Sequence, residues 1–496
     1  MNQVKKLLTV ALALCALQSN AQKSTDKSKG GGLHKAYNIK LVLPDVKDTG
    51  VYLAHFYGKG GNEIYISDSA KFKKGGIAEF HSNDSNFVGG SYMLLMSDKR
   101  TNFEFLLDRG DNLTITGSVE KLPESLKFTG SHQNDLFIDY EIKARENGEA
   151  QQKLVKELET CKTKEDTAKV REKSVAQSKK FVNYRRDVVK NNPGSLVASI
   201  LNALEKPEIP EGDHFLADGK TKDSTFAYRY YKNHFWDYFN FQDDRLIYTP
   251  LYDGLLDEYF SKEVLPYPDS VEQEGDMLLK KARGSKDVFK YTLYWLTKYV
   301  ENSKVMGLSD AFVYFVENYY MKGDAFWLSQ GDLQKYIDRA RKMGPNVIGN
   351  VAPELKLPNV GNKKTETLSQ VKSKYTLVMF YSPNCGHCQH EIPALDSAYE
   401  ASLKEKGLTI FTVATEGDDK AINAFLEKHK VDKKWVNTWD PENVGNYHNN
   451  YDVYSTPTIY LLDDRKIIVG KRLDHSNIGS LIDMNERKKK EKTQKK

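Results

Sequence analysis

A chain of 496 residues with 39% hydrophobic, 11% aromatic and 28% charged residues has the make-up of a soluble globular protein, with room for about three domains at roughly 150 residues each. Its formal charge of +5 is small for this length and disfavours a nucleic-acid binder, and nothing after the first twenty residues is long and apolar enough to span a bilayer. With 4 cysteines it is not a disulfide-stapled scaffold.

At the N-terminus, Met1-Asn2-Gln3-Val4-Lys5-Lys6 supplies a basic start and Leu7 to Leu17 an apolar core. Ser19-Asn20-Ala21 supplies the small residues that a signal peptidase reads. Residues 1–21 are expected to be a secretory signal cleaved after Ala21, which also removes Cys15 and leaves the mature chain close to neutral. A lipoprotein anchor through Cys15 fits poorly, because Leu14 precedes it inside the apolar core. Residues 22–36 are rich in Lys and Ser, contain Gly30-Gly31-Gly32, and read as a flexible tether.

Residues 37–130 alternate in short apolar runs, Ile39, Leu41, Leu43 and later Phe103, Phe105, Leu107, punctuated by Gly75-Gly76 and Gly89-Gly90. Period two with glycine turns predicts a β-rich, sandwich-like domain. It holds no acid pair, histidine cluster or phosphate loop, so a binding or docking role is all it suggests. From residue 131 to 345 the period lengthens, with Leu136 and Tyr140 and later Phe312, Phe315, Val316 and Tyr319 on helical spacing. Asn192-Pro193-Gly194-Ser195 and Pro266-Tyr267-Pro268 mark breaks between helices. This is a helical middle domain. Its stretch from Phe226 to Phe241 interleaves aromatics with Arg229, Lys232 and His234; stacking on bases or sugars is one reading, and packing by large side chains is the better one. Cys161, set in a charged helix, reads as a spare thiol.

Residues 346–484 alternate again. Strands are expected at Thr376 to Tyr381, Leu408 to Ala414 and Thr458 to Leu462, with a hairpin partner at Lys466 to Leu473. Helices are expected from Cys385 to Lys404 and from Lys420 to His429, which together predict a layered α/β fold. Residues 485–496 are almost wholly basic and read as a solvated, frayed tail. Cys385-Gly386-His387-Cys388 sits where the first of these strands turns, at Ser382-Pro383-Asn384, into a helix. Backbone N–H groups and the positive end of the helix dipole favour a thiolate there, so Cys385 is the expected nucleophile.

The segment from Val347 to Met484 resembles the thioredoxin superfamily, closest to its periplasmic TlpA/ResA-like branch. Val351-Ala352-Pro353-Glu354-Leu355 resembles that branch's entry strand, and Cys385-Gly386-His387-Cys388 with Glu391 and Pro393 fits its helix. Ser455-Thr456-Pro457-Thr458 resembles the cis-proline loop. The upstream part is similar, less specifically, to exported proteins of the Bacteroidetes type that place a β-rich and a helical domain before a thioredoxin module, which implies architecture only.

The resemblance implies a thiol-disulfide oxidoreductase exchanging disulfides with protein substrates. Cys385 attacks, and Cys388, one helical turn on, resolves the mixed disulfide. A cis peptide at Pro457 would expose the backbone of Thr456 to an extended substrate. His387 would favour the thiolate. Many thioredoxins bury an acid where this chain has Met379; Glu416, ahead of Asp418, is the expected replacement. The implied cofactor is none beyond the Cys385–Cys388 disulfide, and the implied electron partner is a membrane thiol reductase or oxidase. Periplasmic localisation is expected, without nucleic acid and without stable membrane insertion. The branch suggests a reductant, the Gly-His linker an oxidant or isomerase.

Other chemistries fail on particular residues. A peroxiredoxin-type peroxidase wants Thr and Pro where Ser382 and Val378 stand, and covalent haem attachment wants His where Gln389 stands. A structural zinc on Cys385, Cys388 and His390 would have only three ligands. The alternative from another class is a polypeptide- or glycan-binding protein that uses the thioredoxin-like module as a docking scaffold.

Overall fold

The computed structural model describes residues 36–58, 64–303 and 305–494. The expected signal segment, Cys15 and all but the last residue of the expected tether lie outside the described residues. The chain divides into two compact units, one running up to Val264 and including Leu278–Thr292, the other taking Leu265–Met277 and everything from Leu293 onward.

The first unit opens with eight strands: β1 (Tyr37–Val42), β2 (Gly50–Phe56), β3 (Ile64–Lys71), β4 (Ile77–Ser82), β5 (Gly90–Met96), β6 (Asn102–Leu107), β7 (Asp111–Thr116) and β8 (Lys127–Thr129). They form two four-stranded sheets, ordered β4-β1-β7-β8 and β3-β2-β5-β6. In β1 the alternation is plain, since Ile39 and Leu41 are buried while Lys40 is exposed. Ile39, Phe80 and Ile115 from one sheet and Leu53, Leu94 and Phe105 from the other share one core, as a sandwich requires. Gly76, at φ +70°, turns the chain so close to Leu43 that a Cβ would lie 1.9 Å from its carbonyl oxygen, so only glycine fits.

Two long helices follow, α1 (His132–Thr160) and α2 (Lys164–Asn191). Asn134 fixes the start of α1 on β6: its side-chain oxygen accepts from the Leu106 N–H at 2.6 Å and its amide donates to the Leu106 carbonyl at 2.7 Å. Thr163 caps α2 by accepting from the Asp166 N–H. The aromatic stretch beyond divides: the helix Phe226–His234 has no buried residue and Tyr228 is exposed, while the part from Phe235 onward packs into the core. Trp236, Phe239 and Phe241 are buried, and Phe239 stacks on Tyr252 with ring centroids 4.6 Å apart.

In the second unit, helical segments including Gln330–Met343 precede an α/β domain. Its five-stranded sheet is ordered β13-β12-β11-β14-β15, with β11 (Tyr375–Tyr381), β12 (Leu408–Ala414), β13 (Val436–Trp439), β14 (Thr458–Asp463) and β15 (Ile468–Lys471). A separate two-stranded ribbon pairs β9 (Lys356–Pro358) with β10 (Thr365–Thr367). β11, β12 and β13 run parallel; β14 and β15 turn back antiparallel. Helices α3 (Gly386–Ala398), α4 (Asp419–Lys428) and α6 (Ile478–Gln494) share one core with Leu377, Met379 and Tyr381. On the opposite face Val378 and Phe380 pack with Leu355, Leu357 and Tyr447, the last of these from α5 (Tyr447–Asn450). β11 is therefore buried at every position, as a central strand covered on both faces must be.

Three details differ from the sequence expectation. The entry strand lies at Lys356–Pro358, while Val351 makes only an isolated bridge to Ile467; Pro353, which has no N–H to donate, interrupts the expected run. β13, only four residues long, sits at the sheet edge where no strand was expected. The basic stretch after Met484 continues α6 as helix to Gln494, and Glu486 within it accepts from Lys374 and from the Tyr375 hydroxyl, both at 2.7 Å.

Candidate active site

The site is built where β11 ends. Ser382 closes the turn: its carbonyl accepts from the Cys385 N–H at 3.1 Å and its hydroxyl accepts from the Asn384 N–H at 3.1 Å. Cys385 keeps extended backbone angles and serves as the N-cap of α3, its carbonyl taking the first helical hydrogen bond from the Gln389 N–H. Its sulfur thus faces unsatisfied N–H groups at the positive end of a helix.

Both thiols are free, and their surroundings differ sharply. Burial pushes the half-buried Cys385 up. The Thr456 side chain, the Cys388 backbone N–H, the Cys388 thiol and the His387 backbone N–H outweigh it and hold Cys385 below an ordinary cysteine. In its protonated form the same thiol donates to the Thr456 carbonyl at 3.1 Å. Cys388 is fully buried, and burial, reinforced by its neighbour Cys385, pushes it up to about 12; the Ser382 N–H and Thr456 offset only part of this. One thiol gives up its proton more readily than an ordinary cysteine, and the other holds it.

The remaining expected residues occupy distinct places. The Thr456–Pro457 peptide is cis, and Thr456 lies against the Cys385 sulfur although it is 71 positions away in sequence. His387 is exposed on the first turn of α3 and brings its backbone N–H, rather than its ring, to the Cys385 sulfur. Glu416 is exposed and accepts from the Ser382 hydroxyl at 2.7 Å, so it touches the turn that carries the cysteines. Asp418 is occupied elsewhere as the N-cap of α4, accepting from the Ala421 N–H at 2.8 Å. Met379 is fully buried in the core that contains Cys388. Glu391 accepts from the His475 backbone N–H and pairs with its ring at 2.9 Å, fixing α3 to the loop after β15.

Sequence reasoning overlooked Ser382, whose only signal was its place in a Ser-Pro-Asn turn. Cys161 closes the C-terminal end of α1 and donates to the Glu157 carbonyl at 3.3 Å.

Residues 348–471 match the AhpC/TSA family. The chain is 27% identical over 127 residues to the thioredoxin-like protein YneN of Bacillus subtilis, covering 24% of this chain and 68% of the relative. It is 29% identical over 137 residues to the thiol:disulfide interchange protein DsbE of Pseudomonas fluorescens, covering 27% of this chain and 71% of the relative. The C-terminal domain belongs to the thioredoxin-like thiol-disulfide oxidoreductases. Among solved structures, a domain of a possible thiol-disulfide isomerase from Cytophaga hutchinsonii is 30% identical and matches with a TM-score of 0.28, covering 29% of this chain and 97% of that one. Upstream of the oxidoreductase domain, residues 37–137 and 160–343 match two families each described as a domain of unknown function. Among the described residues, no helix is long and apolar enough to cross a membrane.

Proposed function

We propose that this chain is an exported thiol-disulfide oxidoreductase that exchanges disulfides with protein substrates through Cys385 and Cys388 and works in the periplasm. The observation that carries the reading is the opposite setting of the two thiols, one lowered at a helix N-terminus and the other fully buried and raised. The Cys385 thiolate attacks a substrate disulfide, whose S–S bond breaks as one substrate sulfur leaves and takes up a proton. Cys388 then loses its proton and attacks the Cys385 sulfur, releasing the second substrate thiol. The substrate gains two electrons and the site becomes the Cys385–Cys388 disulfide, the only redox group the cycle needs. A membrane thiol reductase would reset it; run in reverse, with a membrane oxidase, the same steps oxidise a substrate.

The lowered Cys385 supports an oxidant or isomerase over a strong reductant, because stabilising the thiolate stabilises the reduced form. The export reading rests on the N-terminal sequence pattern and on a redox pair being of use outside the cytosol. Trapping tests the site: a Cys388→Ser variant is expected to accumulate mixed disulfides with periplasmic proteins through Cys385, and Cys385→Ser to accumulate none. Equal trapping by both variants would overturn the assignment. Full biological function in the double Cys→Ser variant would establish the scaffold reading instead.

A further inference from the structure

The strap from Tyr451 to Pro457 leads from α5 into β14 and passes the reactive thiol, since the Thr456 carbonyl accepts from the Cys385 sulfur at 3.1 Å. Whatever is joined to that sulfur in a mixed disulfide must therefore lie against the strap. Four residues before Thr456, Asp452 turns the chain in the left-handed region, at φ +50°, a setting that a residue other than glycine keeps only where its surroundings hold it. Its side chain is only 7% exposed and is met by the helix Gln330–Met343. Arg339 forks onto the carboxylate, Nη1 to Oδ1 at 2.6 Å and Nη2 to Oδ2 at 3.2 Å, and Arg472 adds a bond of 3.4 Å to Oδ2. One turn further along the same helix, Lys342 lies over the exposed ring of Tyr454, 5.7 Å from its centroid. His448 stacks on that ring and donates to the Val453 carbonyl. The helical region is pinned to the sheet a second time: Lys471, the last residue of β15 and the neighbour of Arg472, pairs with Asp310, and both side chains are buried.

We propose that Arg339 is a positioning residue for disulfide exchange: by fixing Asp452 it holds the strap where a polypeptide joined to Cys385 must rest, so that the helix Gln330–Met343 forms part of the substrate site. The inference rests on the exchange reading above and deepens its first step. Arg339 touches no reacting atom, and it lies 113 positions before the residue it holds. A buried ion pair adds little net stability over apolar packing, whereas a two-bonded fork fixes direction and register, which is what a strap beside a reactive sulfur needs. A small disulfide needs only the sulfur. A polypeptide disulfide also needs the strap in place, so the fork acts on polypeptide substrates alone.

The test compares two disulfides that lose the same coloured group. In a Cys161→Ser background, reduced protein is mixed by stopped flow with dithiobis(nitrobenzoate), or with an extended peptide whose one cysteine carries the same nitrothiobenzoate. The Cys385 thiolate attacks, the S–S bond breaks, and the coloured thiolate leaves with the electron pair. Arg339→Ala is expected to slow release from the peptide by about ten- to a hundredfold, the scale of a misplacement of about 1 Å, and to leave the first release from dithiobis(nitrobenzoate) within about twofold of the parent. Arg339→Lys keeps the charge without the fork and gives an intermediate peptide rate. The double variant Arg339→Ala, Asp452→Ala removes the buried carboxylate together with its partner, so melting recovers while the peptide rate stays low. Lys335→Ala, on the same helix and paired with Asp332 at the surface, leaves both rates alone. An unchanged peptide rate, an equal slowing with both disulfides, or a peptide rate that recovers along with melting in the double variant overturns the positioning role. A parent protein that releases one coloured thiolate from dithiobis(nitrobenzoate) and no second, through Cys388, overturns the exchange reading itself.

Discussion

β11 is buried along its whole length, whereas β1 alternates buried Ile39 and Leu41 with exposed Lys40. The first is a central strand with helices on one face and loop and helix residues on the other; the second lies in one wall of a sandwich and has a single buried side. A strand of the first kind delivers its chain directly into a helix N-terminus, where unsatisfied N–H groups can hold a sulfur anion. The first unit places two ionisable groups elsewhere, one on a strand and one in the middle of a helix, away from any helix N-terminus. Its Glu104, on β6, and Glu141, on α1, are instead pushed up by burial to about 7 and about 8, the charge of Glu104 adding to the second. In the C-terminal domain oriented donors outweigh partial burial and set a thiol to react; at Glu104 and Glu141 burial outweighs the opposing Ser91 hydroxyl and Arg145 charge and raises the carboxyls.

The largest expected effect tests the difference in burial. Met379→Ala and Phe380→Ala, neighbours on opposite faces of β11, should each destabilise the second unit, by about 2–5 and about 3–5 kcal/mol. On β1, Leu41→Ala should cost about 2–5 kcal/mol and its neighbour Lys40→Ala less than about 0.5. Denaturant unfolding monitored in each unit checks this, and two cheap neighbours in β11 would contradict it.

A smaller effect sharpens the contrast in ionisation. A carboxyl whose folded value lies above its unfolded value of about 4.3 favours folding less and less as pH rises towards the folded value, here about 7 for Glu104, and the penalty is complete above it. Glu104→Gln removes that penalty. Melting of the first unit should rise at pH about 8 and change much less at pH about 5; an equal change at both would contradict the buried carboxyl.

Much of this could be read from the residues, because the site is carried by local signals. An apolar run, a Ser-Pro-Asn turn and Cys385-Gly386-His387-Cys388 define a strand, a turn and a capped helix within some fifteen positions. Thr456 and Pro457 were legible only through the resemblance, since their contact with Cys385 depends on how β14 lies beside β11. Glu416 was found from its place after β12, but its partner, the Ser382 hydroxyl, lies 34 positions away and was not. β13 escaped because four residues at a sheet edge leave no periodicity to read.

The smallest expected effect is none at all. Cys161 lies at the end of α1 with its thiol turned onto a helix carbonyl, so Cys161→Ser should leave disulfide exchange at the parent rate. A loss of exchange would mean that the first unit contributes a working thiol and that the contrast between the two regions is incomplete.

The central claim, a division of labour between two thiols one helical turn apart, is tested most directly by the pH dependence of alkylation of the reduced protein, with Cys385 and Cys388 quantified separately by peptide mass. The account predicts two well-separated titrations, Cys385 below an unperturbed cysteine and Cys388 near about 12. A single shared titration at the ordinary cysteine value, or Cys388 reacting before Cys385, would contradict it.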